Sequence, residues 1–196
     1  MFIEDRAVFV RERRNGYYSV AAHVISESLM SIPGLLIISF ICSITVFFMA
    51  GLHGGASGFF IFAFDLFIAL YVAESMLAFI ASLVPHYIIG MAIGAAAYGF
   101  QMLTQGFFLL PSNIPPYWIW GYYIGFHRYA FGIFMHNEFT GNTFNSTIFP
   151  RGEQVLELYD MDNVDVGENF GILIAIAIIY RIFFFLALYF FRTGKQ

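Results

Sequence analysis

The residues able to do chemistry are few, and their placement says more than their number. Asp65, Glu74 and Arg181 stand inside long apolar runs, where an ionisable group is costly and is normally paired or turned toward water. Counted from the outer ends of their runs at about 1.5 Å per helical residue, Glu74 lies about 22 Å deep and Arg181 about 17 Å. Their long side chains can close that difference, so the two are expected to form an intramembrane polar pair. Asp65 precedes Glu74 by nine residues, which puts it on the opposite face of a helix. The groups read as a polar relay that responds to a transport cycle, as a static ion pair that fixes helix register, or with Arg181 simply snorkelling toward water.

No catalytic centre is expected from the remaining side chains. The only lysine is Lys195, so a phosphate-binding loop of the form GxxxxGK[ST] is impossible and the chain alone cannot hydrolyse a nucleotide. His23, His53, His86, His127 and His136 form neither HExxH nor a close pair with ligand spacing, and no metal is expected. The His136-Asn137-Glu138 run is too short a constellation for a metal and reads better as an interfacial polar cap. No GxSxG occurs, so there is no nucleophile elbow. Cys42 is the sole cysteine, which excludes an intrachain disulfide and suggests a buried, inert thiol. The chain is expected to be no enzyme, to carry no cofactor of its own and to have no nucleic-acid partner.

Composition dictates what must position these groups. Of 196 residues, 60% are hydrophobic and only 11% charged, with a mean hydropathy of +0.75. A soluble domain of that size leaves too much surface in water to hide so much apolar matter. Four segments, 29–49, 59–84, 88–110 and 170–191, meet the length of about 20 apolar residues that a spanning helix needs. The fold expected is an all-α, polytopic membrane helical bundle of four spans plus a re-entrant extracellular hairpin. The hairpin, re-entrant or interfacial and favoured over a true fifth span, comes from 117–139, which is aromatic but holds His127, Arg128, His136 and Glu138 behind Pro111, Pro115 and Pro116. Trp118 and Trp120 suit a membrane–water interface. Pro33 is expected to kink the first span or mark its start, and Gly90 and Gly94 form a small-xxx-small pattern for close helix packing.

Arg6, Arg11, Arg13 and Arg14 precede the first span, while Arg192 and Lys195 follow the last. By the positive-inside rule both termini are cytosolic, which requires an even number of spans. The acidic stretch from Glu138 to Glu168 is then extracytoplasmic and holds Asn145-Ser146-Thr147, an N-glycosylation acceptor. The organisation that follows is a cytosolic coupling segment at 1–18, three spans in 19–110, the hairpin at 111–138, an extracellular loop at 139–168, and a last span with a short tail at 169–196.

Particular residues resemble a known family. The run from Arg11 to Tyr18, followed by 28–33, resembles the cytosolic loop and third span of the G-subfamily (white-type) half transporters of the ATP-binding-cassette superfamily. Phe126-His127-Arg128-Tyr129-Ala130-Phe131, running on to His136-Asn137-Glu138-Phe139-Thr140-Gly141, is similar to that family's extracellular re-entrant region. Tyr180-Arg181-Ile182 stands where many members carry an arginine. The resemblance covers essentially the whole chain, and finer features such as Asp65-Leu66-Phe67 and Glu74-Ser75 look like the plant branch that exports cuticular wax and cutin precursors.

The resemblance implies the membrane portion of an ATP-dependent exporter of lipids or other hydrophobic molecules, in the plasma membrane. It implies a nucleotide-binding domain as partner, holding the ATP and Mg that this chain lacks, and a homodimer or heterodimer with another half transporter. A complete member has that domain followed by six spans, so the chain is expected to be a fragment, a truncated gene model or a degenerate paralogue. Phe9, Arg11, Glu12 and Arg14 would couple to the ATPase domain, although they read equally as topology signals and anionic-lipid contacts. Gln101 and Met102 would face substrate on a cavity-lining helix, and stacked Phe107 and Phe108 at its outer end would close the cavity. Two other functions stay open: a non-transporting partner that dimerises with full-length half transporters and regulates them, and a channel using Asp65, Glu74 and Arg181.

Overall fold

In the computed structural model, residues 2–144 and 151–191 are described. Helix α1 (Phe2–Arg14) stops before Gly16, whose φ of +75° lies in the left-handed region that closes helices. The Ser19 side chain then accepts from the Ala22 N–H at 3.2 Å and caps α2 (Val20–Ala50). The first span therefore begins nine residues before the expected position 29. Hydropathy sees only where the apolar run starts, whereas the cap fixes where the helix does. Helix α2 also continues through Pro33.

A tight turn at Gly51 and Gly54, with φ of +64° and +95°, leads into α3 (Gly55–Leu83). Helix α4 (Tyr87–Thr104) ends six residues short of the expected 110, at a break where Gly106 takes φ +106°. A 3₁₀ turn (Pro111–Asn113), α5 (Ile119–Ile124), α6 (Phe126–Phe139) and α7 (Gly152–Leu158) follow. Asp165 Oδ1 accepts from the N–H groups of Gly167 and Glu168, at 2.7 and 3.1 Å. That pattern starts α8 (Val166–Phe191) four residues earlier than expected.

Among the described residues, α2, α3, α4 and α8 are long and apolar enough to cross a membrane. The segment expected at 117–139 is split at Gly125 into α5 and α6, and neither reaches the length a crossing needs.

Helix α3 is the axis of the bundle. Its Ile68, Val72 and Met76 pack against Phe126, Tyr129, Ala130 and Ile133 of α6 and against Leu173 and Ala177 of α8. Lipid tails are as apolar as these side chains, so close packing rather than exclusion of water holds such an interface together. Gly94 illustrates the point, because a Cβ there would lie 2.7 Å from Leu77 Cδ2, so α4 rests directly on α3. A second cluster joins Phe9 of α1 to Val20 and Val24 of α2 and to Phe184 and Leu188 of α8. In contrast, α2 exposes Ile37, Phe40, Ile41 and Phe48, and α4 exposes Ile88, Met91 and Ile93. Cys42 lies on that open face of α2 and is exposed, correcting the expectation of a buried thiol.

Candidate functional site

Midway along the bundle, Arg181 Nη2 donates to Glu74 Oε2 at 3.1 Å. The Arg181 side chain is 10% exposed and that of Glu74 35%. Ser31 of α2 donates to the other carboxylate oxygen of Glu74, and the guanidinium carbon lies 5.1 Å from the centre of the Tyr71 ring. Three helices thus converge on one carboxylate. Ser31 was not legible as a partner, since spacing along α3 says nothing about which neighbouring helix faces it, whereas Tyr71, three residues before Glu74, shares its face by spacing alone. Asp65 lies on the other side of α3, fully buried, and neither of its oxygens has a hydrogen-bond partner among the described residues.

The expected coupling residues divide between two faces of α1. Phe9 is 2% exposed and packs inside the bundle. Glu12 Oε2 accepts from the Tyr18 hydroxyl at 2.9 Å; burial, with the adjacent carboxylate adding to it, pushes that phenol up to about 12, so it stays a donor. Arg11 and Arg14 are exposed on the opposite face. Arg13, absent from the sequence-based set, donates to the Leu188 carbonyl at 3.1 Å and ties α1 to the end of α8. The α1 residues therefore divide into an anchor (Phe9, Glu12, Arg13) and an exposed face (Arg11, Arg14), not one docking surface.

On α4 the expected substrate-facing pair also separates. Gln101 is 7% exposed; its Nε2 approaches Met76 Sδ at 3.3 Å and its Oε1 lies 3.1 Å from His127 Nδ1. Met102, one residue or about 100° further round, is 49% exposed. Phe107 and Phe108 lie beyond the end of α4 rather than on its last turn. They meet edge-on, with ring planes at 84° and centroids 5.0 Å apart, so the expected stack between them is absent. Phe107 instead stacks on Tyr159, planes 2° apart and centroids 6.2 Å apart. The glycine at 106 lets the chain leave the helix axis, and that redirects both rings.

The polar run at the end of α6 clasps the α2–α3 turn. Glu138 Oε2 accepts from the His53 N–H at 2.7 Å, and Asn137 Nδ2 donates to the Gly58 carbonyl at 3.1 Å. Arg128 sits over Tyr122, Tyr123 and Tyr129, 4.4 to 4.9 Å from the ring centres, an arrangement that strengthens when desolvated. In the loop, Glu153 accepts from the Gly141 N–H at 3.1 Å, and its own backbone N–H, followed by that of Gly141, holds its carboxyl below the usual range. Asn145, Arg192 and Lys195 lie outside the described residues. Among the described residues no group of three or more His, Cys, Asp or Glu could hold a metal.

Residues 1–139 match the family described as ABC-2 type transporter. The chain is 41% identical over 194 residues to ABC transporter G family member 11 of Arabidopsis thaliana, covering 94% of this chain and 27% of that protein. It is 35% identical to ABC transporter G family member 1 of Petunia hybrida, over 94% of this chain and 29% of that protein. Identity to ABC transporter G family member 2 of Arabidopsis thaliana is 33%, over 86% of this chain and 21% of that protein. The chain thus spans between a fifth and a third of the length of these relatives. A helical bundle with four apolar helices long enough to cross a membrane, matched over most of its length by this family, is a transporter membrane domain: the chain belongs to the ABC-2 type transporter family.

Proposed function

We propose that this chain forms the membrane part of an ATP-driven exporter of lipids or other hydrophobic molecules, wax or cutin precursors among them. It works as one half of a homodimer or heterodimer in the plasma membrane. The observation that carries the reading is the family match combined with an exposed, basic face on α1, Arg11 and Arg14, at the bundle end where α8 finishes. Uphill export needs hydrolysis, and a chain whose only lysine is Lys195 must receive it from a separate nucleotide-binding domain that holds ATP and Mg. Phe9, Glu12 and Arg13 pass movement of α1 into α2 and α8, while Arg11 and Arg14 meet the ATPase domain.

Substrate follows the outer surface of α4 past Met102, with Phe107 and Phe108 at the exit, and Gln101 steadies that helix from behind. The bare apolar faces of α2 and α4 supply surface for the partner half. Both termini are cytosolic, the α5–α6 pair is the re-entrant hairpin, and Asn145 is glycosylated outside.

The test is a graft of this chain behind the ATP-binding domain and first two spans of a close relative. Lipid-stimulated ATP hydrolysis and export should appear together, and the Arg11→Glu, Arg14→Glu double variant should uncouple them. Synthesis with intact membranes should give a glycan-sized mass shift that Asn145→Gln removes. ATP-independent flux of ions or lipid through the ungrafted chain would overturn the exporter reading in favour of a channel.

A further inference from the structure

A groove of about 550 Å³ lies where α3, α4 and α6 meet, walled by Leu70 and Ala73 of α3 and by Phe131 and Phe134 of α6. Tyr98, Gln105 and His127 join these apolar side chains in the lining. The Tyr98 hydroxyl gives its proton to the Ala73 carbonyl at 2.8 Å. His127 Nδ1 lies 3.1 Å from Gln101 Oε1, while Gln101 Nε2 lies against Met76 Sδ. An amide oxygen can only accept, so Nδ1 carries the hydrogen and the neutral ring presents Nε2 as a bare acceptor. The ring packs against Phe126 and Tyr98, and among the described residues no carboxylate stands in the lining to favour a second proton. Nε2 has no partner among the described residues and, unlike Arg181 Nε and Nη1, is not sealed by burial. It therefore opens to the groove. Half-buried Gln105, one turn beyond Gln101 at the end of α4, adds an amide that can donate and accept.

That set selects a head group. An acceptor open to an apolar groove is met by an O–H donor. A carboxylate or phosphate would set its lone pairs against Nε2, with no cation among the described lining residues to offset its charge. Ester and ether oxygens only accept and leave Nε2 unmet. A hydroxyl can donate to Nε2 and accept from the Gln105 amide, while the walls take hydrocarbon. We infer that the α3–α4–α6 groove binds a hydroxyl-headed lipid whose O–H donates to His127 Nε2. A free long-chain alcohol and a sterol of the bilayer share that chemistry. The inference does not depend on the export reading, because it holds whether or not the lipid is moved.

The test uses the purified full chain in phosphatidylcholine nanodiscs, with diazirine-bearing probes at equal mole fraction: a long-chain alcohol, a sterol, the methyl ether of each, and a fatty acid. Crosslinks read by mass spectrometry should fall on α3 at 66–73 and on α6 at 126–134. The alcohol or the sterol should exceed its own ether there by about five-fold, the share expected of one hydrogen bond in a dry site. Whichever does so identifies a free or a bilayer source, and the comparison needs no variant to fold. Leu70→Trp fills the groove and should abolish the labelling. His127→Phe keeps a ring against Phe126 but removes the acceptor, and should lower the hydroxyl probe to the level of its ether. Equal labelling by the ethers, strongest labelling by the fatty acid, or labelling that survives Leu70→Trp would each overturn the assignment. So would a dimer crosslinked through photo-leucine at Leu66 or Leu70, which would put a second copy of the chain in the groove.

Discussion

Helix α3 carries two carboxylates that the bundle treats in opposite ways. Glu74 faces α2 and α8, where Arg181 and Ser31 each take one of its oxygens, and a third of its side chain remains exposed. Asp65 has no exposure and no partner among the described residues, on the face that carries Ile68 and Val72 into the α6–α8 core. Both lie in helices long enough to cross the membrane, so depth alone does not decide how an acidic side chain is accommodated. The face does. On the α2–α8 side α3 meets polar side chains from two neighbours, whereas on the α6 side it meets apolar packing. Glu74 should therefore behave as a strut between helices and Asp65 as a polar intruder in a packed interface.

The largest expected effect comes from breaking the strut. Arg181→Ala should strand the Glu74 carboxylate and cost about 3–5 kcal/mol, with the exposed part of Glu74 favouring the lower figure. Thermal unfolding of the purified chain and the fraction delivered to the cell surface are the readouts. The Glu74→Gln, Arg181→Met pair should do less harm than the two single losses combined; strict additivity would mean that the contact carries no energy.

Asp65 should answer in the other direction. A buried polar group without a hydrogen bond costs about 1–3 kcal/mol, and leucine is close to aspartate in shape. Asp65→Leu is therefore expected to raise the unfolding temperature, by an amount equivalent to about 1 kcal/mol once imperfect fit is allowed for. A clear loss of stability would mean that Asp65 is a second strut with a partner elsewhere, and the contrast between the two carboxylates would fail.

The contrast was half legible in the sequence. The spans announce themselves by length and hydropathy, and the nine-residue spacing places Asp65 and Glu74 on opposite faces. Arg181 was identifiable as a partner because two charges at similar depth in apolar runs have few other ways to be satisfied. The rest depended on backbone events that apolar counting does not register. Ser19 starts α2 early, and Gly106 turns Phe107 and Phe108 off the α4 axis. Gln101 and Met102 point different ways because adjacent helical residues must, and which of them turns inward is set by Met76 and His127. On α1 the side-chain types suggested one docking surface, yet Phe9 is too apolar to stay outside once α2 and α8 offer it a site.

The smallest effect is also the sharpest test of how the strut is built. Ser31 Oγ lies within reach of two acceptors, Glu74 Oε1 and the Glu27 carbonyl at 3.0 Å, but a hydroxyl has a single proton to give. The carboxylate is the stronger acceptor, so the proton should cross to α3 rather than return to its own helix, as a serine in mid-helix otherwise does. Ser31→Ala removes that bond and restores a few tenths of a kcal/mol of helix propensity, so the single variant should lose no more than about 1 kcal/mol. The informative quantity is the coupling between Ser31→Ala and Glu74→Met, which leaves no acceptor at position 74, in a double-mutant cycle read by thermal unfolding. Hydrogen bonds between membrane helices average about 0.6 kcal/mol in such cycles, and a value near that is expected here. A coupling of zero would return the Ser31 proton to Glu27 and leave α2 held against α3 by packing alone, with Glu74 tied only to α8.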